Sequence, residues 1–222
     1  NEKVAAARKR SIPIFVVKRP ALPETFYIVY GEDGLRKQIE HLLPEFFPLH
    51  HGYTTGACAT AAAKAALTAL LSKEEQTAAS ITLPSGQIIT LPVTATEWDS
   101  DSATCSVIKD AGDDPDVTNG SMIVANVAFS TASNDALVRF VAGPGVGTVT
   151  LPGLGLEVGG PAINTTPRKM ITDELAAVLQ AFRQNNPAAK HLPPSPGLTV
   201  TISVPGGEEL AARTFNPKLG IV

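Results

Sequence analysis

Hydrophobic periodicity divides the middle of the chain into predicted elements. An alanine-rich helix is predicted over residues 61–71. Thr54 or Thr55, upstream of this run, can act as its N-cap. Apolar and polar positions then alternate over residues 80–93 around Ser85-Gly86, which predicts a β-hairpin. Residues 103–108 and 122–129 predict two further strands, one on either side of an acidic loop.

The later part of the chain predicts a second long helix and short strands. Thr166 is the predicted cap and Pro167 the first helical residue. Apolar residues recur at helical spacing on one face, namely Met170, Ile171, Leu175, Val178, Leu179 and Phe182. Strands are predicted over residues 148–151, 198–204 and 208–214, the last after a Gly206-Gly207 turn.

The first residues follow a different pattern. A basic helix over residues 2–10 precedes an apolar strand over residues 12–17, which is typical of one unit of a parallel α/β sheet. A short amphipathic helix is predicted over residues 34–43. Because the first helix feeds a strand with no parallel neighbour nearby, we expect the tail of another domain. The predicted domains are residues 1–48 and 49–222.

Together these elements predict a mixed α/β or α+β fold, with a sheet and two main helices, preceded by an N-terminal fragment of a parallel α/β unit. A glycine loop that feeds an alanine-rich helix also resembles the ribosomal S5 domain 2-like arrangement. The 222 residues, 44% of them hydrophobic, suffice for one large domain or a domain with an appendage.

Net charge and cysteine content narrow the functional classes. A net charge of −3 and a pI of about 5.8 give no general attraction to nucleic acid or anionic membranes. Two cysteines are too few for a disulfide framework. With no apolar run of spanning length and no signal peptide in the sequence, we expect a cytoplasmic location and no membrane partner.

Candidate functional side chains are most concentrated in residues 109–120, here called the aspartate loop. This loop contains four aspartates, two glycines and a proline. Carboxylates this close repel one another, so we expect a cation, ribose hydroxyl, pyrrole N–H or run of backbone N–H groups to face them. An equally good interpretation is a solvated Asx turn. Asp110, Asp113, Asp114 or Asp116 could act as a general acid or base.

Two helix starts favour an anionic ligand. The unpaired N–H groups after Thr54 and Thr55 attract anions, and Gly56 lets a ligand approach the backbone. Arg168 and Lys169 lie in the first turn of the later helix, where they oppose its dipole. A bound carboxylate or phosphate would remove this conflict, as would surface solvation, and we favour the ligand.

Several familiar sites are excluded. Asn119 and Ala125 stand where an EF-hand begun at Asp114 requires glycine and glutamate. Residues 142–148 form a glycine loop without the third glycine of a dinucleotide-binding fingerprint. We predict no protein-held metal. Cys58 could be a thiol of lowered pKa at a helix start, but a buried, unreactive cysteine is the commoner outcome.

Five ordered segments carry a family resemblance. They are residues 52–59, 107–118, 145–150, 161–168 and 214–221. In this order they resemble the cobalt-precorrin-5B C1-methyltransferase family (CbiD). Residues 4–23 resemble the C-terminal end of the precorrin-6A reductase family (CbiJ), which suggests a fused or associated reductase. Because the family continues beyond the last residues, the chain resembles its N-terminal portion, truncated at the C-terminus.

The resemblance implies S-adenosylmethionine-dependent C1 methylation of cobalt-precorrin-5B to cobalt-precorrin-6A in anaerobic cobalamin biosynthesis. S-adenosylmethionine would be the cofactor, and the cobalt would arrive with the tetrapyrrole. A homo-oligomer is possible. The main alternative is a non-catalytic tetrapyrrole carrier or scaffold in the same pathway. A third interpretation is a metal hydrolase built on the acidic loop.

The implied site combines the motif residues. Asp113, Asp114 and Asp116 are the candidate catalytic residues, facing the cationic cofactor or the macrocycle N–H groups. The candidate substrate- or cofactor-binding residues are Tyr53, Thr54, Thr55, Gly56, Cys58, Lys109, Asp110, Gly112, Asn164 and Arg168. One departure is His50, where the family usually carries a basic residue.

Overall fold

The chain divides into two compact units, Asn1–Pro48 and Leu49–Val222. A computed structural model describes residues 9–10, 27–43, 50–130, 137–152, 155–186 and 197–214. The strand predicted at residues 12–17 therefore lies outside the described residues, as does most of the helix predicted at residues 2–10.

In the first unit, helix α1 spans Gly31–Leu42. It begins three residues before the predicted start and ends one residue before the predicted end. Glu32 and Asp33 lie in its first turn and complement the positive end of the helix dipole. Within the described part of this unit, no helical residue is buried.

The second unit is built around helix α2, Thr55–Ser72. Thr54 is its N-cap, and the Thr54 hydroxyl accepts a hydrogen bond of 3.1 Å from the N–H of Ala57. Eight of its 18 residues are alanine and all eight are buried, which lets neighbouring backbones approach closely. The predicted helix is confirmed, although it begins six residues before residue 61, and Thr54 is the one of the two predicted cap residues that caps it.

Two short strands pack against this helix as a hairpin. Strands β1, Ala78–Thr82, and β2, Ile88–Pro92, form an antiparallel two-stranded sheet in which alternate residues are buried. This confirms the predicted hairpin. Its register places Ile81 opposite Ile89, and both side chains are buried.

A five-stranded sheet covers α2 from another side. Its strands are β3 (Ala95–Trp98), β4 (Ser102–Ile108), β5 (Met122–Ser130), β6 (Val138–Ala142) and β7 (Gly197–Ser203). The spatial order is β3-β4-β5-β7-β6; only the β6–β7 pair is parallel. The predicted strands on either side of the aspartate loop are thus neighbours, β4 and β5, and the loop joins their ends.

Helix α3, Thr165–Asn185, packs on α2 and contacts β1. Its N-cap is Asn164 rather than Thr166, so Pro167 is the third helical residue and not the first. Ile171, Leu175 and Leu179 are buried, as the helical spacing predicted.

Two predicted strands are wrong. Residues 207–214 form helix α4, Gly207–Thr214, in which Glu208 and Glu209 complement the dipole of the first turn. Residues 148–151 form only an isolated bridge between Thr148 and Pro161. There the backbone of Val149 is paired with a turn, since its N–H donates to the carbonyl of Gly160 and its carbonyl accepts from Gly159.

These elements confirm a mixed α/β fold with two long helices. None of the helices in the described segments is both long and apolar enough to span a bilayer.

Candidate ligand-binding cavity

The aspartate loop is held in place largely by its own carboxylates. Asp110 Oδ1 accepts a hydrogen bond of 2.8 Å from the N–H of Gly112, and Asp110 Oδ2 lies 3.2 Å from His50 Nε2. Asp113 Oδ2 accepts one of 2.9 Å from the His50 N–H. Both side chains are solvent-exposed. The Asp110 contact is the predicted Asx turn, whereas Asp113 binds the backbone of a distant segment.

Two glycines let the chain before α2 cross this loop. A Cβ on Gly52 would overlap the backbone of Ala111, and a Cβ on Gly112 would overlap the carbonyl of His50. Gly112 also has a φ of +62°, which other residues rarely adopt. Close approach allows the N–H of Tyr53 to donate to the carbonyl of Asp110 over 2.7 Å.

Lys109 lies buried beneath the loop. Its ammonium group donates to Asp116 Oδ2 over 2.5 Å, to Thr118 Oγ1 over 2.6 Å and to Thr55 Oγ1 over 3.2 Å. The Lys109 side chain is 1% exposed, whereas that of Asp116 is 40% exposed. Hydrogen bonds from Lys109 and Thr118 lower the pKa of Asp116 to about 2, so this carboxylate is ionised at neutral pH.

Asp114 differs from the other aspartates of the loop. It is exposed, and no described residue donates a hydrogen bond to its carboxylate. It is therefore the carboxylate that is most available for an external partner.

A cavity of about 560 Å³ opens beside this network. The start of α2 and residues 117–118 of the aspartate loop line it, together with residues 145–148 of the glycine loop, the start of α3, the end of β7 and the first turn of α4. A cavity of this size is in the range that binds small organic ligands.

Close backbone packing brings these segments together. A Cβ on Gly56 would lie 2.6 Å from Pro167 Cγ, so glycine allows the starts of α2 and α3 to touch. Gly145, with a φ of +75°, and Gly207 pack backbone to backbone, which places the glycine loop against the start of α4.

The basic residues at the start of α3 have partners within the protein. Arg168 donates to the carbonyls of Ile163 and Pro161 over 2.7 and 2.9 Å, and its guanidinium lies 5.2 Å from the centre of the Phe140 ring. Lys169 pairs with Asp173 over 2.6 Å. Lys169 is thus paired with a carboxylate, whereas the partners of Arg168 are neutral and leave its charge uncompensated. Because both side chains have partners within the protein, their position at a helix start alone no longer argues for a bound anion.

A second, open cleft of about 660 Å³ lies along Arg168. Arg139 of β6 also lines it and is exposed, and Glu157 is its one acidic residue among the lining residues. The cleft therefore presents two cations and one anion.

The structure distributes the predicted site residues unevenly. Thr55, Gly56 and Asn164 line the cavity, whereas Lys109 does not line it but hydrogen-bonds to the lining residues Thr55 and Thr118. The other predicted residues do not line it. They are Tyr53, Thr54, Cys58, Asp110, Gly112, Asp113, Asp114, Asp116 and Arg168.

Cys58 is fully buried, and burial raises its pKa to about 11. It is thus the unreactive packing residue, not an activated thiol. Over the described residues, His, Cys, Asp and Glu form no group of three or more that could hold a metal ion.

The sequence prediction missed two parts of the cavity wall, residues 145–148 and the first turn of α4 with Glu208. A signal for the second was present, because an acidic pair directly after Gly206-Gly207 is typical of a helix start.

A family profile described as CbiD matches residues 44–222. The chain belongs to the CbiD family. A relative from Geobacillus thermodenitrificans, named cobalt-precorrin-5B C(1)-methyltransferase, is 45% identical over 174 residues, which are 78% of this chain and 43% of the relative. A relative of the same name from Burkholderia cenocepacia is 50% identical over 175 residues, 79% of this chain and 45% of the relative.

A solved structure agrees with this assignment to the CbiD family. The crystal structure of the cobalamin biosynthesis protein (cbiD) from Archaeoglobus fulgidus matches with a TM-score of 0.55 and 30% identity, over 78% of this chain and 50% of that chain. The chain therefore spans about half the length, or somewhat less, of the relatives that it matches.

Proposed function

We propose that the protein methylates C1 of cobalt-precorrin-5B, with S-adenosylmethionine as the methyl donor, in anaerobic cobalamin biosynthesis. The observation that carries this proposal is the relationship to proteins named cobalt-precorrin-5B C(1)-methyltransferase, at 45% to 50% identity over more than three quarters of this chain.

S-adenosylmethionine supplies a methyl group on a positively charged sulfur. The new carbon–carbon bond takes its electron pair from the macrocycle, while the pair of the broken bond stays on sulfur. Such an in-line displacement depends mainly on positioning. The protein therefore needs to hold two ligands side by side, and the cavity and the Arg139–Arg168 cleft are two candidate regions for them in one compact unit.

The cleft suits the acetate and propionate groups at the rim of a precorrin. Arg139 is exposed, and Arg168 is held in place by Phe140 and by two backbone carbonyls. A guanidinium whose geometry is already held loses less entropy when it binds a carboxylate. The cobalt ion belongs to this substrate.

Asp114 remains the candidate catalytic carboxylate of the aspartate loop. Asp113 and Asp116 are occupied by His50 and Lys109, whereas no described residue engages the carboxylate of Asp114. Its role would be to face the cationic cofactor or the macrocycle. Asp114→Asn should then lower turnover while leaving the free energy of unfolding unchanged.

The N-terminal unit is proposed to be the end of a precorrin-6A reductase, fused to the methyltransferase. The resemblance of residues 4–23 supports this, as does the division of the chain after Pro48. Deleting residues 1–48 should abolish reductase activity in the natural protein and leave methyl transfer intact.

The reaction is tested by following a labelled methyl group from S-adenosylmethionine to cobalt-precorrin-5B without oxygen, with the protein at its full natural length. We expect a labelled product methylated at C1. If the folded protein binds the tetrapyrrole but transfers no label, it is a tetrapyrrole carrier and the proposed reaction is wrong.

A further inference from the structure

The cavity beside α2 carries an unusual charge distribution for a site that faces a polyanionic substrate. Glu208 is the one ionisable residue among the described residues that line it, and no lysine or arginine does so. The ammonium group of Lys109 is hydrogen-bonded to the lining residues Thr55 and Thr118 and is paired with Asp116. The cavity thus offers a carboxylate and no uncompensated side-chain cation.

The two ligands of the proposed reaction differ in charge. A precorrin is fringed with carboxylates, whereas S-adenosylmethionine carries a sulfonium, an ammonium and one carboxylate, so that its net charge is positive. A carboxylate in a site without cations repels the first and attracts the second. The cleft at Arg139 and Arg168 has the opposite balance.

We propose that this cavity binds the methyl donor, S-adenosylmethionine, with Glu208 paired to its cationic methionine end, and that the macrocycle binds outside it. This inference rests on the proposed function and adds to it the location of the donor.

The rest of the cavity wall fits the remaining parts of this ligand. Apolar side chains, among them Val117, Val146 and Leu210, provide the surface that a purine ring requires. Hydroxyls of Thr55 and Thr118 and the amide of Asn164 are polar groups that can bind a ribose. The volume of about 560 Å³ also fits a nucleoside-sized ligand.

Binding of S-adenosylhomocysteine and of S-adenosylmethionine, measured by calorimetry on the protein at its full natural length, tests the location. Glu208→Gln should weaken the binding of S-adenosylmethionine about tenfold, because a charge-assisted contact is lost. Glu209→Gln is the matched control, since Glu209 is exposed on the same helical turn and does not line the cavity. The Glu209→Gln variant should bind S-adenosylmethionine with an affinity within about twofold of that of the wild type.

A second pair of variants tests the volume without changing charge. Ala211→Phe places a ring in the cavity and should abolish measurable binding of S-adenosylhomocysteine, whereas Ala212→Phe, at an exposed position outside the cavity lining, should not. Both variants should retain tetrapyrrole binding.

The outcomes separate the location from the reaction. If Glu208→Gln and Ala211→Phe bind both nucleosides like their controls while the wild type transfers methyl groups, the donor binds elsewhere and only the location is wrong. If the wild type binds neither nucleoside and transfers no label, the proposed reaction falls together with this inference. Loss of tetrapyrrole binding in Ala211→Phe alone would instead assign the cavity to the macrocycle.

Discussion

Lys109 and Asp116 form an ion pair whose two partners differ sharply in solvent exposure. The lysine side chain is 1% exposed and the aspartate side chain 40%. The ammonium therefore depends on its protein partners, whereas the carboxylate can also be hydrated.

This difference in exposure predicts that replacing Asp116 destabilises the protein more than replacing Lys109. Asp116→Asn leaves a buried ammonium without its counter-ion and should lower the free energy of unfolding by about 3 kcal/mol. Lys109→Met removes the buried charge together with its need for a partner and should cost only about 1 kcal/mol. Urea unfolding of both variants measures the difference. A Lys109→Met variant that is as unstable as Asp116→Asn would contradict this account.

The same pair predicts a pH dependence at the acid end. The pKa of Asp116 is lowered in the folded state from its ordinary value of 3.8 to about 2. A lowered carboxyl pKa contributes stability that is fully present above pH 3.8 and is lost as the pH falls through about 2.

The stability difference between the wild type and Asp116→Asn should thus be constant near neutral pH and shrink across this window. Urea unfolding of both proteins at a series of acid pH values measures it. A difference that stays constant down to pH 2 would show that Asp116 does not titrate in this way.

Glu174 of α3 joins three elements. Its carboxylate accepts from Lys64 of α2 over 2.8 Å and from the N–H of Thr82 in β1 over 2.7 Å. Its side chain is 10% exposed. Glu174→Ala should lower the free energy of unfolding by about 3 kcal/mol, because it leaves Lys64 without its counter-ion and the N–H of Thr82 without its carboxylate partner.

The control for Glu174 is Asp173→Ala in the same helix. Asp173 is 60% exposed and pairs with Lys169, which is 76% exposed. Such a surface pair contributes at most about 0.5 kcal/mol. Equal effects of Glu174→Ala and Asp173→Ala in thermal or urea unfolding would argue against the role of Glu174 as a link between elements.

Gly52 is predicted to tolerate no side chain. A Cβ there would overlap the Ala111 backbone, which has no flexible atoms that could move aside. Gly52→Ala should cost more than about 3 kcal/mol and detach the aspartate loop. Gly120→Ala in the same loop meets nothing within 4 Å and bears only the strain of its φ of +75°, so about 1 kcal/mol is expected.

Amide hydrogen exchange of residues 109–120 would show the detachment predicted for Gly52→Ala. If these amides are equally protected in the Gly52→Ala and Gly120→Ala variants, the close contact between Gly52 and the Ala111 backbone is not what holds the loop in place.

The local sequence pattern was enough to predict elements that pair over a short range or that begin with a recognisable capping residue. Thr54 caps α2 as predicted, and the alternation around Ser85-Gly86 forms the predicted hairpin. Strands β4 and β5 are joined by the aspartate loop, so their proximity followed from their order in the chain.

Local pattern failed where one segment satisfies two periodicities. Residues 208–214 are too short to distinguish a strand from a helix by their apolar positions. Glu208 and Glu209 favour the helix, because acidic residues in the first turn of α4 complement the positive end of its dipole.

The candidate site was only partly predictable because long-range contacts assemble it. The sequence indicated Thr55 and Asn164 as helix-start residues, but not that the glycine loop and α4 meet them. Arg168 was assigned to a ligand because its position opposes the helix dipole. Its actual partners, Pro161, Ile163 and Phe140, became apparent only from the fold.

The alanine layer of α2 also limits how the binding site can vary. Ala61, Ala62 and Ala66 are fully buried, and alanine has no side-chain torsion through which neighbours could readjust. An enlarged residue in this layer must therefore move whole segments of backbone. Since the first turn of the same helix forms part of the cavity wall, a displacement of α2 by such a residue would also move that wall, so substitutions far from any ligand can change which molecules fit.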